Sequence, residues 1–170
     1  MKQHFSMFAA YNRWANTQVY GMAATLSEEE LGRDVGVFFK SLSGTLNHLL
    51  AADRIWMKRF TGQGEAPSSL DATIHSDFTR LRAAREIEDK RIVDWVASLG
   101  DKAFAGRFTY ITMTDVRTVS QRLAPALAHL FNHQTHHRGQ AHAALTGLGR
   151  PSVVLDLVYF QRTEEGRAFA

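Results

Sequence analysis

Five of the chain's eight histidines fall in one stretch, HLFNHQTHHRGQAH, residues 129–142. Imidazole moves protons near neutral pH and is the commonest metal ligand, so the first question is which of the five share a face. An α-helix advances about 100° per residue. With His129 placed at zero, Leu123, Ala126, Leu130, Ala141, Ala144 and Leu148 fall between about 60° and 120° and mark a core-facing stripe. His137 lies inside that stripe and His133 on its flank. His129 and His136 point further out, and His142 lies beyond the opposite edge. His133 and His137 thus form an i, i+4 pair aimed at the core, a spacing at which two imidazoles converge on one ion. The same spacing serves hydrogen-bonded structural histidines, so the pair needs a third group.

His48, in NHLL, supplies it from another helix, at the edge of the stripe formed by Leu42, Leu46, Leu49, Trp56 and Phe60. Three imidazoles from two helices make a three-nitrogen site with a coordination position left for water or substrate, the arrangement of a reactive rather than a closed structural metal site. Imidazole suits zinc, nickel, iron or copper; one divalent ion per chain is expected, zinc first and nickel second. Gln134 and Thr135 follow His133, so the glutamate base of a His-Glu-x-x-His protease is missing and peptide hydrolysis is disfavoured. No residue is assigned a catalytic role.

Around this set, His129 and Gln140 lie on the His133 edge, placed to orient a ligand ring by a hydrogen bond. His136 lines a pocket mouth or faces solvent, and Arg138 is expected in a salt bridge or a dimer contact. Asp53 falls among Leu46, Met57 and Phe60, where an unpaired carboxylate is costly. It either satisfies a neighbouring helix or supports the metal site, and Asn12 occupies a similar place. Trp14 and Trp56 read as core.

Four long helical patterns must position these groups: from about Gln3 to Leu26, from Ser41 through Phe60, from Ser76 to Leu99, and from near Pro125 to Gly147 or Gly149. Ser27 and Glu30 have capping-box spacing and start a short turn. Residues 62–73 form a Gly-, Pro- and Ser-bearing loop. Residues 104–119, rich in Phe, Tyr, Ile, Thr and Val, predict two short strands turning near Thr114-Asp115. A shorter fifth helix is expected over 153–166. The pattern predicts an all-α four-helix bundle with a β-hairpin inserted before the last long helix, in one domain spanning 1–170.

Composition limits the functions available. The 170 residues include no cysteine, which excludes disulfides, a thiolate nucleophile and cysteine-ligated metal, so any thiol must come from a small molecule. The net charge is +3, but RLRAAREIEDKR (80–91) alternates its signs, and no one-signed face for nucleic acid emerges. No apolar run reaches the roughly 20 residues of a membrane helix, and the first residues lack a signal peptide's apolar core; a cytoplasmic location is expected.

YNRWAN (11–16), TLNHLLAADRIW (45–56) and HLFNHQTHHRGQAHAALTGLG (129–149), in this order and separation, resemble the DinB/YfiT-like family of metal-dependent proteins. The resemblance covers nearly the whole chain. It implies a four-helix bundle, commonly dimeric, that holds a divalent metal by three histidines; by position these are His48, His133 and His137. It further implies an association with stress response and, for some relatives, S-transfer or isomerisation with a low-molecular-weight thiol. A homodimeric metalloenzyme acting on a small electrophile is the first expectation, and a metal-stapled scaffold or sensor without turnover is the alternative.

Overall fold

A computed structural model describes residues 1–170. Four long helices carry the architecture: α1 (Lys2–Ala23), α3 (Leu42–Thr61), α4 (Phe78–Ser98) and α5 (Leu123–Gly147), with the short α2 (Glu28–Gly32) between the first two. Strands β1 (Arg107–Ile111) and β2 (Thr118–Arg122) pair antiparallel, Arg107 facing Arg122, and lead directly into α5. The bundle with its inserted hairpin is as the sequence predicts. α1 packs against α4 and α5, and α3 packs against the same two, so α3 and α5 are neighbours. No helix is long and apolar enough to cross a membrane.

Local chemistry accounts for the helix ends. Ser27 and Glu30 form the predicted capping box. Ser41 accepts a bond from the Gly44 N–H at the start of α3, and Gly62 ends that helix at φ 72°, a left-handed cap that glycine adopts without steric cost. Asp77 caps α4 by accepting from the Arg80 N–H. α5 begins at Leu123, two residues before Pro125, because β2 runs straight into it. Pro125 is accommodated in the first turn, where backbone N–H groups lack intrahelical partners anyway.

The C-terminal segment departs from expectation. Only Leu157–Phe160 (α6) is α-helical, with a 3-10 turn at Gly166–Phe169; residues 151–156 form no regular secondary structure. Val153, Leu155 and Leu157 are half-buried while Val154, Asp156 and Val158 are exposed, a period of two rather than 3.6. The Tyr11 hydroxyl donates to the Leu155 carbonyl at 2.6 Å, and buried Phe160 packs against Tyr11 and Trp14, which anchors the segment to α1.

Two apolar clusters fill the bundle. One gathers Val19, Leu46, Leu81 and Leu145 at one end; the other gathers Phe5, Met57, Ile92 and Leu127 at the other. Between them along every helix runs a buried polar layer: Asn12 and Asn16 on α1, Asp53 on α3, Arg85 and Asp89 on α4, Gln134 and Arg138 on α5. Arg85 lies 2.7 Å from Asp53 and 3.0 Å from Asp89, forming an ion pair with each. Asn16 donates to Asp89 at 2.9 Å, and Arg138 donates to Asn12. Two arginines thus face two aspartates, and their formal charges cancel inside the bundle.

Candidate metal centre

His48 on α3 and His133 and His137 on α5 meet where these helices pack, each offering one ring nitrogen within 4.8 Å of the other two. His48 and His137 are buried and His133 is half-buried. The Nε2 atoms of His48 and His133 are 3.4 Å apart. A tetrahedral ion with bonds of about 2.0–2.1 Å requires ligand nitrogens about 3.3 Å apart, so this pair already has the right separation.

The ring orientations are set by neighbours. His48 Nδ1 lies 2.7 Å from the Leu70 carbonyl oxygen, which can only accept, so the proton is on Nδ1 and the Nε2 lone pair faces the cluster. His137 Nδ1 lies 2.8 Å from Gln140 Oε1, which leaves its Nε2 free in the same way. The lone pairs of His48 and His137 thus face His133, whose Nε2 approaches His48 Nε2, and three such nitrogens fit a divalent metal. His133 Nδ1, buried with no partner, is the one ring nitrogen of the three left unsatisfied on its outer side.

Burial lowers the proton affinity of all three histidines. It is the largest cause for His48, ahead of the opposing bond to Leu70, and for His137, ahead of the opposing bond to Gln140. His133 is pushed down to about 3, by burial first and then by His137 and His48. All three are therefore neutral near pH 7, the form in which imidazole binds metal.

The packing that holds the trio was only partly readable in the sequence. Gln134, between the two α5 histidines, donates to the Leu49 carbonyl at 3.0 Å and to Asp53 at 2.5 Å, clamping α5 onto α3 one residue past His48. Asn47 pins the loop that brings Leu70 to His48: its Oδ1 accepts from the Ile74 and His75 N–H groups at 2.8 and 3.0 Å. Phe39 stacks on the His48 ring, centroids 3.9 Å apart. Gly44 lets it approach, since a Cβ there would lie 2.3 Å from the Phe39 carbonyl oxygen. Phe39, Gly44 and Leu70 carry no local motif; only the Asn47-His48 adjacency hinted at a positioning role.

The surrounding residues divide. Gln140 bonds a cluster histidine, His137 rather than His133. His136 is exposed, its ring 4.7 Å from that of His137, at the mouth of a pocket of about 480 Å³ that opens onto the three histidines. His129 bonds no cluster ring; it packs on Trp56, centroids 5.1 Å apart. Asp53 does not contact the histidines but pairs with Arg85, because its side chain points into the polar layer. Arg138 is not at the surface: it is buried over the Tyr11 ring and bonded to Asn12. Trp56 is half-buried: it packs against the second apolar cluster, as expected of a core residue, and also lines a cavity.

Comparison with known proteins agrees with this architecture. The chain is 26% identical over 161 residues to the protein DinB of Bacillus subtilis (strain 168), an alignment covering 91% of this chain and 94% of that protein. The sequence model of the DinB family matches residues 1–168, and the chain belongs to the DinB family.

Proposed function

We propose that this protein is a divalent-metal-dependent enzyme in which His48, His133 and His137 hold one ion, zinc first and nickel second, and a small electrophile is attacked by a thiol cosubstrate. The observation that carries this reading is the convergence of inward-facing imidazole nitrogens on a pocket that remains open. A metal held there would supply Lewis-acid chemistry, lowering the pKa of a thiol or water in its open position.

The chain's own residues supply the rest. Leu70 and Gln140 hold the rings of His48 and His137, Phe39 shields one face of His48, and His136 stands at the pocket mouth where a proton could be exchanged with solvent. With no cysteine in the chain, the sulfur has to arrive on a low-molecular-weight thiol. A homodimer, a cytoplasmic location and the absence of nucleic-acid or membrane partners belong to the same proposal. A scaffold whose metal only staples α3 to α5 is less well supported, because a closed structural site takes four protein ligands and leaves no pocket over the ion.

The test is elemental analysis of tag-free protein beside His48→Ala and His137→Ala, followed by turnover with a panel of thiols and electrophiles. Near-stoichiometric metal in the parent, lost in both folded variants, together with thiol-dependent turnover, is the expected result. Metal without turnover favours the scaffold. No metal after incubation with zinc or nickel overturns the proposal.

A further inference from the structure

Behind His133 lies a second cavity, of about 310 Å³, which shares Leu70 and His133 with the metal pocket. Trp56, Tyr110 and the hairpin tip at Met113 and Thr114 wall it. Arg59 is the one permanently charged side chain lining it, and none of the lining residues is acidic.

The guanidinium of Arg59 lies 4.7 Å from the Trp56 ring centroid and 4.5 Å from that of Tyr110. Those two rings meet edge to face, 5.5 Å apart, so the cation is seated in the notch between them. Aromatic contact engages a guanidinium through its π-face and makes no use of its in-plane N–H donors, which here have no protein partner. No carboxylate pairs with Arg59: burial lowers its proton affinity, and only Tyr110 acts in the other direction. Buried Arg85, by contrast, faces two aspartates. Arg59 is thus a half-buried fork of donors held against two aromatic rings and without a protein hydrogen-bond partner, beside a cavity that reaches a cluster histidine. His129 bridges the two, its ring 5.1 Å from Trp56 and 5.8 Å from His133.

We propose that Arg59 is the receptor for the carboxylate of a small molecule whose other end reaches the histidine cluster. The reach to the cluster rests on the metal-dependent reading above, whereas the carboxylate site stands without it. A carboxylate matches the planar fork and carries a single charge for a single cation. Arg59 lies in the last turn of α3, where the helix dipole is negative, which disfavours a doubly charged phosphate.

Ligand-observed NMR titration with butyrate, butyramide and inorganic phosphate, on metal-stripped and zinc-treated protein, tests this. Arg59→Gln, Arg59→Lys and His137→Ala are titrated alongside, with thermal melts to confirm folding. Butyrate is expected to bind the parent in both metal states and more tightly than butyramide or phosphate. Arg59→Gln should weaken it about tenfold or more, and Arg59→Lys less. Unchanged butyrate affinity in folded Arg59→Gln overturns the proposal; should that variant fail to fold, undiminished affinity in Arg59→Lys does so. Phosphate bound more tightly than butyrate overturns the carboxylate assignment. Butyrate bound only after zinc treatment, lost in His137→Ala and kept in Arg59→Gln, makes the carboxylate a metal ligand and also overturns it. If no metal is taken up while Arg59-dependent butyrate binding persists, the metal reading falls and the carboxylate site stands.

Discussion

Replacing Gly44 by alanine sets two physical effects against each other, and the structure decides the sign. Helix propensity alone predicts a gain of about 1 kcal/mol, since Gly44 is the third residue of α3 and alanine is the better helix former. The new Cβ, however, would lie 2.3 Å from the Phe39 carbonyl oxygen, where contacts shorter than 3.0 Å are essentially never found. That oxygen cannot swing aside cheaply, because it accepts the Ser41 N–H at 2.7 Å in a tight turn where Lys40 has φ 66°. Relief therefore requires residues 39–41 to retreat, which stretches the 3.0 Å cap between Gly44 N–H and Ser41 Oγ and lifts Phe39 from His48. Overpacking costs about 1–3 kcal/mol and a lost cap about 1, so the net effect is destabilisation by about 1–3 kcal/mol. For a chain of this size that lowers Tm by about 2–12 °C. Urea and thermal unfolding measure it, with Gly139→Ala in α5 as the control, since that Cβ meets nothing within 4 Å and should stabilise by up to about 1 kcal/mol. Gly44→Ala as stable as the parent, with an unchanged zinc isotherm, would refute the claim that this close approach holds Phe39 over the site.

Three further outcomes are expected. Gln140→Leu removes the acceptor from His137 Nδ1 and should weaken metal binding about tenfold or more with little change in Tm, as read by competition with a chelating dye. Because burial depresses all three cluster histidines, proton competition sets in at lower pH than for free imidazoles: zinc affinity should fall less between pH 7.5 and 6.5 than on further acidification. The same depression means that the unfolded chain takes up protons the folded apo-protein refuses, so the contribution of these groups to apo-stability is lost as pH drops below about 6.5; a parent urea midpoint that does not fall relative to that of His133→Ala over that range would contradict it. Arg85→Met leaves Asp53 and Asp89 without their shared cation and should cost about 3–5 kcal/mol near neutral pH. Burial already pushes Asp53 up to about 7, so the folded state binds a proton that the unfolded state has released, and the contribution of this group to stability falls as pH rises from about 4 through 7. Removing Arg85 raises that carboxyl further, so the penalty should be smaller at pH 5 than at pH 8; a pH-independent penalty would argue against charged carboxylates in this layer.

The bundle and the histidine trio are legible in the chain itself because both rest on periodicity, and the hairpin because its β-branched and aromatic composition interrupts the helical pattern. His133 and His137 are one turn apart on a face already marked by Leu130, Ala141 and Ala144, and His48 flanks a comparable stripe, so secondary structure alone aims all three inward. The C-terminal segment departs from the helix expected over 153–166: half-buried Val153, Leu155 and Leu157 alternate with exposed neighbours at a period of two. Other features depended on which helices became neighbours. Gln134, Arg138 and Asp53 look like surface or site residues when each helix is read alone, since burying them is unfavourable without partners. Their partners lie on other helices: Asp53 for Gln134, Asn12 for Arg138, Arg85 for Asp53. The stack of Phe39, the carbonyl of Leu70 and the notch that holds Arg59 likewise arise where loops and the hairpin cross α3. One-dimensional spacing determines which face a side chain takes; only tertiary packing decides what it meets there, and that sets whether a buried charge serves the fold or awaits a ligand.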